Sequence, residues 1–271
     1  MITHTTQVVS KADIFLTCSE EKYYSSDFIV PKNTLIRLLS GEMVIIMPDK
    51  TLTISAGDTI FFPRLELAKV RKHPKDSQPY KSVAIYFTPE GIQQYFVRHH
   101  LKPGYTGKKT GIKELNSHPL LDSLFNSLLP YFNLENELPE TIAENKVDEA
   151  ISILKELDTD VFNLLGHFEE PGKINLRSFM EKNFMFNMTM DKFGYLTGRS
   201  LTTFKRDFKK VFDMTPQKWL TQRRLELAHY QLTERNRKAS DIYLEVGFEN
   251  LSHFSLAFKK QYGHAPSRIL A

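Results

Sequence analysis

The chain has 271 residues, 41% hydrophobic and 25% charged, with 12 Gly, 13 Pro and a single Cys. This composition excludes collagenous, low-complexity and disordered classes, and at about 100–200 residues per domain the length predicts one large domain or two smaller ones. The net charge of +4 hides an asymmetry: residues 172–271 hold 18 Lys and Arg against 9 Asp and Glu, net +9, which leaves 18 against 23, net −5, for residues 1–171. A basic last hundred residues behind an acidic front is expected where one part meets a polyanion, and double-stranded DNA is the first candidate partner. The longest apolar runs, such as Met43–Met47, fall far short of the ~20 residues of a membrane helix. Met1–Gln7 has neither a basic nor an apolar leader region, and the lone Cys18 can form no internal disulfide. The cytoplasm is therefore the expected location.

From Thr34 to about Thr88 the sequence reads as β. Leu35–Leu39, Met43–Met47, Leu52–Ile54, Thr59–Phe62 and Ser82–Phe87 are short and rich in β-branched and aromatic residues. Ser40-Gly41, Pro48-Asp49-Lys50 and Ala56-Gly57-Asp58 bound them as turns, which predicts a small antiparallel barrel or sandwich. From Pro119 the period becomes helical, with Leu120, Leu121, Leu124, Phe125, Leu128 and Leu129 recurring until Pro130. A second stripe carries Ile142, Val147, Ile151, Leu154, Leu157, Val161 and Leu165. Such stripes need a packing partner, which is either the β-domain or a second copy of the chain, giving a homodimer. Phe168-Glu169-Glu170-Pro171-Gly172-Lys173 ends the helix and begins the change of charge. The expected division is a β regulatory domain over residues 1–115, amphipathic helices and linker over 116–171, and a helical domain over 172–271.

The helical domain contains an internal repeat. An offset of 50 pairs Leu201 with Leu251, Phe204 with Phe254, Phe208 with Phe258, Lys209-Lys210 with Lys259-Lys260, Phe212 with Tyr262, and Pro216 with Pro266. Each copy is an aromatic helix seam ending in two lysines. A shorter helix precedes each seam, stopped by Gly198 or Gly247, and Ser200 or Asn250 caps the helix that follows. Two short helices around a glycine turn make a helix-turn-helix. Gln217–Leu232 reads as one continuous helix between the copies, and about sixteen residues at 1.5 Å rise give a rod of roughly 24 Å. Two recognition helices on one monomer can then enter major-groove faces about 34 Å apart.

Phe193-Gly194, Thr197-Gly198-Arg199-Ser200, Phe204-Lys205-Arg206-Asp207-Phe208-Lys209-Lys210, Thr215-Pro216, Arg223-Arg224-Leu225-Glu226-Leu227-Ala228, Val246-Gly247-Phe248-Glu249-Asn250-Leu251-Ser252-His253-Phe254 and Ala265-Pro266-Ser267 resemble the double helix-turn-helix domain of AraC/XylS-type transcription regulators over residues 173–271. The resemblance implies seven helices with the third and sixth in the major groove, an activator working with RNA polymerase, and a cupin-like barrel that binds a small effector or answers to a regulatory protein. Gly57–Pro63 looks like a cupin strand motif. Two departures are Tyr243, where the family has a small residue, and Gly194, where it has alanine, at a cost of up to about 1 kcal/mol in helix propensity. The expected fold class is thus an all-β cupin-like barrel, then amphipathic helices, then an all-α double helix-turn-helix domain. The alternative is a cupin-type enzyme with a DNA-targeting tail. Against it, Met43–Met47 and Pro63–Glu66 lack the histidines of a cupin metal site, and no nucleophile motif or phosphate loop occurs. No cofactor is expected. Arg37, Arg64 and Tyr86 can face a barrel interior or solvent, and no ligand residues are assigned.

On the first recognition helix Thr202, Lys205 and Arg206 are the base-contacting candidates, Arg through guanine O6 and N7 and Thr through a thymine methyl. On the second the corresponding stretch is Leu251, Ser252, His253 and Ser255, followed by Leu256, with no Arg or Lys. Arg199, Lys209, Lys210, Lys259 and Lys260 are the phosphate candidates, which position without reading sequence. Lys205 and Arg206 can also be plain solvated charges, and His253 a cap-region histidine. The first helix is expected to set most of the sequence preference. In a binding series over single-base operator variants, Arg206→Ala should relax base preference more than His253→Ala; the reverse order would reverse the assignment.

Overall fold

The computed structural model describes residues 6–11, 13–20, 23–102, 111–133, 139–168 and 171–269. Met1–Thr5 and Glu169-Glu170 of the expected domain boundary lie outside them. The first part holds two antiparallel sheets. One contains β1 (Thr6–Lys11), β2 (Ile14–Ser19), β4 (Asn33–Ser40), β7 (Thr59–Phe62), β9 (Tyr80–Phe87) and β10 (Lys113–Leu115), in the order β1-β2-β9-β4-β7-β10. The other contains β3 (Tyr23–Ile29), β5 (Glu42–Ile46), β6 (Thr51–Ser55) and β8 (Leu67–His73), in the order β3-β8-β5-β6. No ladder joins them among the described residues, so the expected closed cupin-like barrel is corrected to two open sheets packed face to face. The physical reason lies at the edges, where β1, β10, β3 and β6 each pair on one side only.

Alternation along the strands builds two cores. Leu38, Met43, Ile45, Ile60, Phe62, Val70 and Tyr80 fill the space between the sheets. Leu35, Phe61, Val83, Ile85 and Phe87 face the other way, onto the helices. Thr59–Phe62 is buried at every position because both faces of β7 are covered. The covering layer is α1 (Pro89–Arg98), α2 (Pro119–Leu128), a 3₁₀ turn over Leu129–Asn133, α3 (Glu140–Leu157) and α4 (Thr159–Leu165). Leu121, Leu124, Phe125, Leu128, Ile151, Leu154, Val161 and Leu165 share the core of the six-stranded sheet. In this chain the sheet is the packing partner of both apolar stripes. The second stripe is two helices rather than one, because Asp158 leaves the helical conformation and caps α4 by accepting from Val161 N at 3.1 Å.

Five strands match the sequence reading within a few residues; β1, β2, β3, β8, β10 and α1 do not appear in it. β8 was hidden because four of its seven residues, Lys69, Arg71, Lys72 and His73, are basic or polar. For α1 a signal existed, since Thr88 caps it by accepting from Gly91 N at 3.1 Å and Pro89 occupies the first turn. Arg37 points outward from the sheet, where Nη1 lies 2.8 Å from Asp122 and the guanidinium 5.2 Å over Phe125. Arg64 donates to Phe168 O at 3.4 Å, and Tyr86 meets Phe15 edge-on at 4.8 Å.

The last part holds α5 (Leu176–Asn183), α6 (Met190–Leu196), α7 (Leu201–Phe212), α8 (Pro216–Thr233), α9 (Ala239–Ile242), α10 (Leu251–Tyr262) and a 3₁₀ turn over Pro266–Arg268. That turn stands where a seventh helix was expected. Two cores form here as well, one around Phe193, Phe204, Phe208 and Trp219 and one around Leu232, Val246, Phe254 and Phe258. No described helix is long and apolar enough to cross a membrane.

Gly247 has φ +105°, and a Cβ there would lie 2.8 Å from Met185 O and 2.6 Å from Arg224 Nε. Gly247→Ala therefore combines backbone strain with a clash, and a loss of about 2–4 kcal/mol in unfolding free energy is expected by chemical denaturation.

Candidate nucleic-acid interface

The two helix-turn-helix units are built by the same local chemistry. Thr189 caps α6 and Ser200 caps α7, each accepting at 3.4 Å, from Lys192 N and Thr203 N. Between them Gly198 takes φ +66°, with no room for a Cβ against the backbone of Gly172 and Lys173. Gly194 is explained too, since a Cβ would sit 2.9 Å from Arg199 O where α6 meets the turn. In the second unit α9 is a single turn, continued by the bond from Val246 N to Ile242 O at 2.9 Å. Tyr243 is half-buried against that core, so its ring fits without opening the unit. Asn250 then caps α10, accepting from His253 N at 2.7 Å.

Each recognition helix rests on an aromatic triangle closed by α8. In the first, Phe208 lies 4.4 Å from Phe212 and 5.6 Å from Trp219, and Phe212 lies 4.6 Å from Trp219. In the second, Phe258 lies 4.6 Å from Tyr262 and 6.2 Å from His229, and Tyr262 lies 4.6 Å from His229. With these rings inward, Thr202, Lys205, Arg206, Lys209 and Lys210 of α7 are exposed. Leu251, Ser252, His253, Leu256, Lys259 and Lys260 of α10 are exposed likewise, and Ser255 is half-buried. His253 also packs edge-on against Phe248 at 5.6 Å.

Arg199 is placed differently from the other phosphate candidates. Its side chain is 8% exposed and donates to Thr197 O at 2.6 Å, Ile174 O at 3.1 Å and Asp207 at 3.2 Å. It braces the turn against α7 and is not a free surface cation. That bond, with Lys173 and Arg206 nearby, holds the Asp207 carboxyl below its ordinary range.

Two further groups escaped the sequence reading. Arg224 of α8 is buried and donates to Phe184 O at 2.9 Å and Phe186 O at 2.8 Å, with Gly247 of the second unit against its other side. Asn187 beside it donates to Glu249 at 2.9 Å. The two units are thus bolted together across α8. The second group joins the β part to the helical part. Leu67 lies in the core of the first unit, while the buried Lys69 donates to Leu244 O at 2.5 Å and Glu245 O at 2.6 Å in the second. Arg71 pairs with Glu245, which Arg237 also grips at 2.5 and 2.9 Å. Lys182 of α5 reaches Asp49 at 3.2 Å. These contacts use the scaffold side of the units and leave the recognition helices exposed. Among the described residues no group of three or more His, Cys, Asp and Glu is placed to hold a metal.

Comparison with known proteins agrees with this architecture. A helix-turn-helix domain model matches residues 196–271, and an ExsA N-terminal regulatory domain model matches residues 33–160. In both parts the chain is similar to AraC-type transcription regulators. Similar proteins include the thermoregulatory protein LcrF of Yersinia pestis, 27% identical over 56% of this chain and 57% of its own length. The chain thus matches little more than half the length of that relative. The HTH-type transcriptional regulator ExsA of Pseudomonas aeruginosa is 24% identical over 85% of this chain and 83% of its own. Among solved structures, apo ToxT of Vibrio cholerae covers 95% of this chain and 96% of its own at 12% identity, with a TM-score of 0.46.

The clamp on Glu245 sets a pH response. Burial alone would raise its carboxyl, but Arg237 and Arg71 outweigh burial and lower it below the ordinary 4.5. A depressed carboxyl stabilises fully above its unfolded value and loses that contribution as pH falls through the folded one. Glu245→Gln should speed amide exchange over residues 239–248 at neutral pH. It should also remove the acid dependence that the wild type shows in that segment below about pH 4.5.

Proposed function

We propose that this chain is a sequence-specific DNA-binding transcription regulator that acts as an activator. The carrying observation is the pair of recognition helices, each turning a short run of polar or basic side chains outward above a two-lysine end. In this reading Thr202, Lys205 and Arg206 on α7, and Leu251, Ser252, His253 and Ser255 on α10, meet base edges. Lys209, Lys210, Lys259 and Lys260 meet phosphates. The activator assignment draws on relatives such as the "virulence regulon transcriptional activator VirF" of Yersinia enterocolitica. RNA polymerase is the expected partner on the promoter, and the β part with its covering helices is the regulatory domain. It answers to a small effector or to a regulatory protein, and the exposed side of its helices is available for homodimerisation. The clamp of Lys69 and Arg71 on the second unit supports such a role, since it puts the regulatory part in direct contact with the DNA-reading part.

Selection from sheared genomic DNA by the purified protein, followed by anisotropy over a salt series, tests the reading. Preference over random DNA of roughly a thousandfold or more, with a motif spanning two adjacent major grooves, is the expected result. Weak binding, equal for all sequences and abolished by moderate salt, would overturn it. Lys209→Ala with Lys210→Ala should weaken binding about equally on every sequence and reduce the salt slope by about 1 for each phosphate left without its lysine.

A further inference from the structure

We infer that the two recognition helices read different base chemistries, and that Leu256 is the residue with which the second reads the 5-methyl group of thymine. The inference rests on the DNA-binding reading above and assigns a specificity determinant within it.

The argument starts from the repeat. At the 50-residue offset Thr202 corresponds to Ser252, Lys205 to Ser255, Arg206 to Leu256, Lys209 to Lys259 and Lys210 to Lys260. Thr202, Lys209 and Lys210 keep their type in the second copy, while Lys205 is exchanged for a serine and Arg206 for a leucine. Arg206 falls midway between Phe204 and Phe208, and Leu256 midway between Phe254 and Phe258, all four rings being fully buried. At about 100° per residue each midpoint residue lies opposite its buried pair, at the outermost line of the helix. Leu256 is 69% exposed, the highest value among the large hydrophobic side chains of the helical part that are described.

The surroundings identify the occupant. Ser252 lies one turn before Leu256, Ser255 beside it, and Lys259 and Lys260 follow in the last turn of the helix, all polar or cationic. A single leucine on a cationic helix face is too small for a protein-docking core, which needs a cluster of buried anchors. It does suit a polyanion that carries isolated methyl groups. In the major groove that group is the C5-methyl of thymine, whereas the guanidinium at the same position of the other helix suits guanine O6 and N7. One chain therefore carries a hydrogen-bonding reader and an apolar reader on one repeat. The half-site under α7 should contain guanine and the half-site under α10 thymine.

Replacing thymine by uracil deletes only the methyl. Each thymine of a selected operator is replaced in turn, and affinity is measured by anisotropy for the wild type, Leu256→Ala and Arg206→Ala in the full-length protein. The wild type should lose about fourfold at one or two thymines of one half-site. Leu256→Ala should bind the thymine operator about as weakly as the wild type binds the uracil one, with no further loss at those positions. Arg206→Ala should keep the loss, and so should Leu256→Met, which restores an apolar tip. Placing 5-methylcytosine at the same position should bind better than cytosine by a similar factor, because the methyl is the group being read. If sequence-specific binding is intact but no thymine carries the loss, or if the loss persists in Leu256→Ala, the inference is overturned and the DNA-binding reading stands. If the wild type shows no sequence preference at all, both fail together. Circular dichroism of Leu256→Ala, a truncation at an exposed site, should be unchanged.

Discussion

The buried guanidinium of Arg224 is the constraint on which the DNA-reading half depends. It fills the seam between the two helix-turn-helix units, donating to Phe184 O and Phe186 O on one side while Gly247 closes against it on the other. A planar, permanently charged fork satisfies two backbone carbonyls at fixed angles. The cost of removing that charge from water is offset only because the carbonyls converge there and no side chain intrudes from residue 247. Two recognition helices on one monomer are useful only at a fixed separation and angle. A long α8 alone supplies the separation; Arg224 with the bond from Asn187 to Glu249 supplies the angle.

One strand of the β part reaches both units of this assembly, and Lys182 with Asp49 adds a contact outside it. β8 sends Leu67 into the core of the first unit and Lys69 and Arg71 onto the second, so a single seven-residue element touches both units. Lys69 gives its ammonium to the carbonyls of Leu244 and Glu245, just past the end of α9. Glu245 is held from two sides by guanidinium groups belonging to the two parts of the chain.

Much of the helical half was legible in the sequence. The repeat at 50 residues, Gly198 and Gly247 as stops and Ser200 and Asn250 as caps are local signals, and local hydrogen bonding decides them. The inner strands were legible for a similar reason, since runs such as Val83–Phe87 have no partner but a core. What stayed hidden depends on contacts between distant segments. β8 reads as a polar stretch because its outward residues face another domain, and nothing in Lys69 or Arg71 distinguishes that surface from water. Arg224 was visible as part of a motif, but its role needs Phe184, Phe186 and Gly247 together in space. Arg199 shows the converse: an arginine beside a recognition helix suggests phosphate, whereas its place among three acceptors at 2.6–3.2 Å needs the folded turn. The closed barrel failed because closure is a property of strand edges, which composition does not encode.

The alternation of β8 has a consequence for how this chain can change over time. Ala68 and Val70 face the space between the sheets, while Leu67, Lys69 and Arg71 face the helical part. Adding or deleting one residue within the strand would exchange the two sets, placing ammonium and guanidinium groups in an apolar interior and methyl groups against Glu245. Length changes in the turn over residues 74–79 leave that parity untouched. The strand is therefore frozen in phase, and descendants of this gene should vary in side chain along β8 far more readily than in length.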